Sequence, residues 1–294
     1  AIREGSKAST TYTYTYTKSV SSASDFTADE NGYLTGYTGT EIDIVVPRTV
    51  NGVTVTGIGE NAFLDSSVRS VGLLANVTQI KSGAFKNCDN LEYIRCAGVT
   101  EIGESAFEGC EKLLRVNNSV VDSIGKQAFK DCTALKEFTF TRAQYAGESA
   151  FEGCSNLKTI HIPASVEEIG DTVFLNCESL EKITVDSKNK YYKAFDGVLY
   201  TKDEKVLLCC PPKGITSYTI SEKTETIAPI PTPKMDKLQV TPNVETAAIE
   251  PIPTTQTKTE VKVKIEKAPK VKIEKAPKVK IEKEPKVKIE KEPK

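Results

Sequence analysis

The chain runs to 294 residues at a formal net charge of −1, and that near-neutral value hides a split. Residues 262–294 hold 13 Lys and 6 Glu, a net +7, while the remainder holds 26 basic and 34 acidic residues, a net −8. An acidic body opposes nucleic-acid binding, no run nears the roughly 18 apolar residues that a membrane-spanning helix needs, and a hydrophobic content of 38% places part of the length outside any core.

Residues 1–26 form a polar, Ser/Thr-rich leader that opens "AIREGSKASTTYTYTYTKSV". It carries no signal-peptide pattern, which is compatible with an exported protein whose signal has been removed and equally with a shortened chain. Residues 27–57 are expected to supply strands that cover the first of the units beyond them. Those units begin at residue 58. Phe63, Phe85, Phe107, Phe129, Phe151 and Phe174 recur at steps of 22, 22, 22, 22 and 23, and Cys88, Cys110, Cys132, Cys154 and Cys177 follow the last five at a distance of three, with Ser66 in the first unit. Ile58, Ile80, Ile102 and Ile124 open four units, Tyr145 the fifth and Ile169 the sixth, and Ala146 stands where the fifth would have Gly. A fixed period in the low twenties is the signature of a solenoid, here six repeats over residues 58–186.

Each unit has two rhythms. Ile102, Ala106, Phe107 and Cys110 fall at i, i+4, i+5 and i+8, which predicts a short helix or 3₁₀ segment. The second half alternates: "LKEFTF" (135–140), "LKTIHI" (157–162) and "LEKITV" (180–185) each turn three apolar side chains inward, as a short half-buried strand does. One unit cannot bury its apolar side alone, so the coils are expected to stack with strands about 4.8 Å apart in a parallel sheet.

L-x-x-I-x-I behind an "IGxxAFxxC" block resembles the BspA-like bacterial leucine-rich repeat family of surface proteins, over roughly residues 33–227. The opening segment "GYTGTEIDIVVPRTVNGVTVTGIGENAF" (36–63) resembles the family's N-terminal strands, and "NKYYKAFDGVLYTKDEKVLLCCPP" (189–212) resembles its hairpin insert. The resemblance implies an α/β repeat fold: a right-handed solenoid with parallel strands on a concave face and short helical or 3₁₀ segments on a convex one. Residues 187–228 would form the insert and a terminal half-repeat. The chain departs from other leucine-rich repeats in lacking a capping Asn or Cys ladder, because Val99, Val121, Ala143, Ser165 and Lys188 occupy those places. After Ile227 it reads "APIPTP", where the array is expected to stop with its terminal coil uncovered.

Equivalent cysteines on successive coils point in parallel, whereas a disulfide needs Cβ atoms about 3.8 Å apart with vectors turned together. The five are therefore expected as buried thiols, with Cys96 a small hydrophobe and at most one of Cys209 and Cys210 buried. No CxxC pair accompanies the sole histidine, His161, so no metal or other cofactor is expected, nor a catalytic triad. Glu104 and Glu108, like Glu148 and Glu152, read as a solvated face. The chain is read as no enzyme.

If the strands are fixed, alternation fixes what faces out. Tyr93, Arg95, Arg115, Asn117, Glu137, Thr139, Thr159, His161, Lys182 and Thr184 are the candidate partner-binding residues, and Tyr93, Arg95 and Arg115 are the best local cluster. Residues 229–261 read as a Pro/Thr-rich linker. In 262–294 Pro269, Pro277, Pro285 and Pro293 punctuate an octapeptide repeat, read as an extended spacer whose Lys comb suits an anionic cell wall. The resemblance implies a secreted or cell-surface protein engaged in adhesion to host matrix or to other cells. A carbohydrate- or wall-binding module and a structural spacer are the alternatives.

Overall fold

The computed structural model describes residues 19–118, 120–213 and 218–228, and a short strand at Leu238–Gln239. The leader up to residue 18, Ser119, most of 229–261 and the whole of the 262–294 tail lie outside the described residues. The coils stack as a solenoid of parallel strands with the expected period. Each passes through three backbone ladders around a common core.

The first ladder is an eight-stranded sheet. Gly57–Ile58, Gln79–Ile80, Glu101–Ile102, Ser123–Ile124, Tyr145–Ala146 and Glu168–Ile169 pair in parallel, one per coil. Tyr33–Tyr37 precedes them in parallel, and Phe26–Ala28 closes that end antiparallel. Pairing aligns Ile124 with Ala146, so the fifth unit opens its core column with Ala146, not with Tyr145, which faces out half-buried.

The second ladder corrects the expected helix. Among the described residues the sole helical element is the 3₁₀ turn Ala23–Asp25. Where the spacing predicts a helix the chain makes consecutive turns. Asn61, Asp65, Gly83, Asn87, Ser105 and Gly109 all have left-handed φ, between 52° and 75°, and the later coils repeat them at Gln127, Asp131, Ser149, Gly153, Thr172 and Asn176. A right-handed helix cannot pass through such residues. The gain is inter-coil bonding: Ala62, Leu64 and Ser66 donate within their own turn, to Gly59, Asn61 and Phe63, while Asn61, Phe63 and Asp65 donate to Ser82, Ala84 and Lys86 of the next coil. Alternate N–H groups thus hold the turn and the stack.

Inside these turns the Phe rings lie flat on one another. Phe85, Phe107 and Phe129 stack at centroid distances of 5.2 and 5.1 Å with 2° between planes, each fully buried and worth about 2–3 kcal/mol of apolar burial. The cysteine column is buried beside them as unpaired thiols. Each Sγ donates to the Phe carbonyl of the preceding coil: Cys88 to Phe63, Cys110 to Phe85, Cys132 to Phe107, Cys154 to Phe129 and Cys177 to Phe151, over 2.9–3.2 Å. Phe85 O, for example, already accepts from Cys88 N, and the thiol satisfies its second lone pair out of reach of water. Cysteine suits the site because it is small, apolar and still a donor.

The outer side of the turns alternates in charge. The "ESAFEGC" coils carry Glu104 with Glu108 and Glu148 with Glu152, and between them lies a coil with Lys126 and Lys130. Lys86 bonds Glu108 at 2.8 Å, Lys126 bonds Glu148 at 2.9 Å and Lys130 approaches Glu152 at 3.4 Å. Partial burial pushes the Glu108 carboxyl up, but hydrogen bonds from Lys86 and Ser105 and the charges of Lys86 and Lys130 outweigh it and hold the group below its usual range.

The third ladder carries the outward face. Asp43–Val45, Ser70–Gly72, Tyr93–Arg95 and Arg115–Asn117 form one parallel sheet, and Thr159–Ile162 pairs with Lys182–Val185 in another. The predicted strand 135–140 does not join them. Its side chains alternate as expected, with Leu135, Phe138 and Phe140 buried, but only a single bridge, Glu137 to Thr159, forms. Phe138 packs against Phe129 and Phe151, and Phe140 against Phe138 and Phe151. Two rings where other coils place Ile, Val, Leu, Cys or Asn hold the backbone off its neighbour. Asn118 spans the opening, its amide donating to Thr139 O at 3.4 Å.

The end of the array is covered, contrary to expectation. Column by column, Val77, Val99, Val121, Ala143 and Val166 are followed by Asn189. The capping place in the last two coils thus falls at 166 and 189, one residue later than expected, and the last coil does hold a capping Asn. Asn189 is 1% exposed. Its amide donates to Pro163 O and Val166 O at 2.8 and 2.9 Å, and its carbonyl accepts from Tyr191 N and Tyr192 N at 2.8 Å each. The insert that follows, Tyr192–Phe195, Val198–Thr201 and Val206–Cys209, closes both neighbouring ladders. The Tyr192 hydroxyl accepts from Ile169 N at 2.8 Å, and Gly197 O accepts from Ile183 N at 3.0 Å. Beyond it, Thr226–Ile227 pairs in parallel with Val206–Leu207, and Leu238–Gln239 with Tyr218–Thr219. Pairing therefore continues past Ile227 into the stretch read as linker.

Candidate functional site: the strand face

Two rows of side chains look outward from the third ladder. Strand pairing sets Asp43, Ser70, Tyr93 and Arg115 side by side, and Glu137, Thr159 and Lys182 continue the line. The second row brings Val45, Gly72, Arg95 and Asn117 together, then His161 beside Thr184. Thr139 is exposed in the coil between. Beneath them Ile44, Val71, Ile94, Val116, Phe138, Ile160 and Ile183 are buried. All ten predicted face residues are therefore exposed or half-buried, and the opening at 135–140 splits them into two panels.

Within the first panel most polar groups have partners. Arg69 grips Asp43 with two nitrogens, Nε to Oδ1 at 3.0 Å, and Ser70 Oγ donates to the same carboxylate at 2.6 Å. Arg115 pairs with Glu137 at 2.7 Å across the split; both side chains are about 60% exposed, so the pair contributes less than about 1 kcal/mol. Asn117 Nδ2 donates to the Tyr93 hydroxyl at 3.1 Å. In the second panel Thr184 gives its hydrogen to Ile160 O at 3.3 Å, which assigns Nδ1–H of His161 as the donor to Thr184 Oγ1 at 3.0 Å.

The face offers binding chemistry: charge, amides, hydroxyls and one phenol on a broad surface. Among the described residues no group of three or more His, Cys, Asp or Glu is placed to hold a metal ion. The thiols are poor nucleophiles, for burial pushes Cys96 up to about 12 and raises Cys110, Cys132, Cys154 and Cys177 as well. A thiolate is the reactive form, and burial withholds it. Asn76, which opens a glycosylation sequon with Val77 and Thr78, is half-buried with its amide given to Val55 O.

Sequence reasoning passes over Asn189 and two exposed aromatics on the insert, Tyr191 and Phe195. Asn189 is within its reach, since it lies 23 residues after Val166 in the column. The aromatics lie outside any repeat and carry no periodic signal.

Residues 56–198 match, in six copies, the family described as the BspA type leucine rich repeat region. Among solved structures, a leucine rich cell surface protein from Faecalibacterium prausnitzii is 25% identical, with 69% of this chain and 70% of that one covered and a TM-score of 0.51. A leucine-rich repeat protein from Eubacterium ventriosum is 26% identical, with 68% of this chain covered and a TM-score of 0.49. The chain spans about half the length of that protein, 52%. No curated protein matches the sequence.

Proposed function

The repeat array of this chain belongs to the BspA-type leucine-rich repeat family, and on that premise we propose that the protein is an exported, non-catalytic binding protein whose strand face meets a protein partner. Adhesion to host matrix or to another cell is the role that fits best. The observation that carries this reading is the contrast between columns. The core positions repeat Phe, Cys and Ile coil after coil, whereas Tyr93, Arg115, Glu137, Thr159 and Lys182, one line on the face, differ at each step. Stacking alone demands the first set and is indifferent to the second. The likeness to a cell surface protein supports the location, and the tail's lysines suit contact with an anionic wall polymer.

The full chain captured on immobilised host-matrix extract tests the reading. A double variant, Asn117→Arg with Thr159→Arg, raises two long side chains in front of the face without touching the core. Capture should fall at least tenfold; unchanged capture would place the binding surface elsewhere.

A further inference from the structure

We propose that Arg95 is the anchoring cation of the strand face and takes a carboxylate, an Asp or Glu side chain on an extended segment of a protein partner. This rests on the strand face being the binding surface and names the chemistry that binds there. Among the arginines of the first panel, charge balance singles Arg95 out. Arg69 is held by Asp43 and Arg115 by Glu137, whereas Arg95, on the strand between Ser70–Gly72 and Arg115–Asn117, is exposed and has no ion-pair partner among the described residues.

Its row-mates leave it uncovered. Gly72 on one side has no side chain, and Asn117 on the other is turned to the Tyr93 hydroxyl. Because that hydroxyl accepts from Asn117, its own hydrogen is directed to no acceptor among the described residues. Arg95 and Tyr93 lie two residues apart on one strand and so project from the same side of it. A carboxylate laid there meets a permanently charged planar donor and a phenol O–H together, the pairing that charge-assisted recognition uses.

The acidic body restricts the partner further. A continuous acid run would be repelled by the net negative charge outside the tail, so the fit is to single carboxylates set in an otherwise neutral strand. The basic tail would choose the opposite, a dense acidic run, which makes the two separable.

The test is selection of random heptapeptides displayed on phage against the immobilised full chain, and against R95Q, R95E and T159R. The wild-type pool should be enriched about fivefold in Asp or Glu at one position. R95Q should lose that enrichment, and R95E should replace it by Lys or Arg. Wild-type selection without acids, or equal enrichment on R95Q, overturns the assignment; acid runs that persist on R95Q would locate the selection in the tail. If T159R abolishes selection while R95Q leaves it intact, the strand face stands as the surface and Arg95 falls as its anchor.

Discussion

Replacing Asn189 by Ala removes four hydrogen bonds at once. Val166 O loses its side-chain donor, Pro163 O keeps only the Val166 N–H at 3.3 Å, and Tyr191 N and Tyr192 N lose their acceptor, all at a side chain that is 1% exposed. At about 1 kcal/mol of net stability per bond the loss is about 3–4 kcal/mol after some rescue by water. With a urea slope of about 2 kcal/mol per molar, the midpoint of the affected transition should fall by about 1.5–2 M. The loss should be local. Amide exchange should quicken most at Ile169, bonded to the Tyr192 hydroxyl, and at Ile183, bonded to Gly197 O, and least near Phe85. Asn189→Asp adds a pH test. Burial beside two carbonyl oxygens opposes a charge on the new carboxyl more than the Tyr191 and Tyr192 N–H groups favour it, and so raises its folded pKa above the unfolded value of about 3.9. The variant is therefore most stable below that value, where the acid donates, and weakens as pH rises through the folded pKa. A midpoint unchanged in Asn189→Ala, or exchange accelerated evenly along the array, would refute the capping role.

Lys130→Glu sets Glu108, residue 130 and Glu152 as three stacked acids and should cost about 1–2 kcal/mol, partly recovered in high salt; chemical denaturation at two ionic strengths checks both. The thiols of Cys88, Cys110, Cys132, Cys154 and Cys177 should resist a chromogenic disulfide reagent in the native protein, even near pH 9, and react once urea is added. Rapid modification of Cys132 in the folded state would contradict the thiol ladder. Hydrogen bonds from Lys193 and Ser221 outweigh partial desolvation and, joined by Lys223, hold the Glu204 carboxyl down to about 2. Its contribution is present above the ordinary carboxylate range and is lost as pH falls toward 2, so Glu204→Gln should flatten the acid limb of a stability–pH curve. An identical limb in the variant would show that Glu204 is not linked to folding.

Period and column are legible because stacking places equivalent residues in contact: Phe107 must meet Phe129, and the spacing says so. The Arg115–Glu137 pair belongs to the same class, its members standing one period apart. The turn stack is masked because Ile102, Ala106, Phe107 and Cys110 share one side in a helix and in a string of turns alike. The discriminating residues lie two before and two after each Phe, where Asn61, Asp65, Asn87, Asp131 and the glycines at 83, 109 and 153 accept left-handed backbone. The broken strand at 135–140 arises from crowding by Phe138 and Phe140, which pattern alone does not reveal. The Tyr93–Asn117 contact runs diagonally between coils, off the period, and escapes a reading by columns.

The alternation of Glu-bearing and Lys-bearing coils has a consequence for how such an array can lengthen. Deleting or duplicating the Lys126–Lys130 coil alone would bring like charges into adjacent layers, whereas removing it together with the Glu104–Glu108 coil would set Lys86 against Glu152. The electrostatic repeat is thus a pair of coils, twice the geometric one, and that is the interval at which "ESAFEGC" is written a second time.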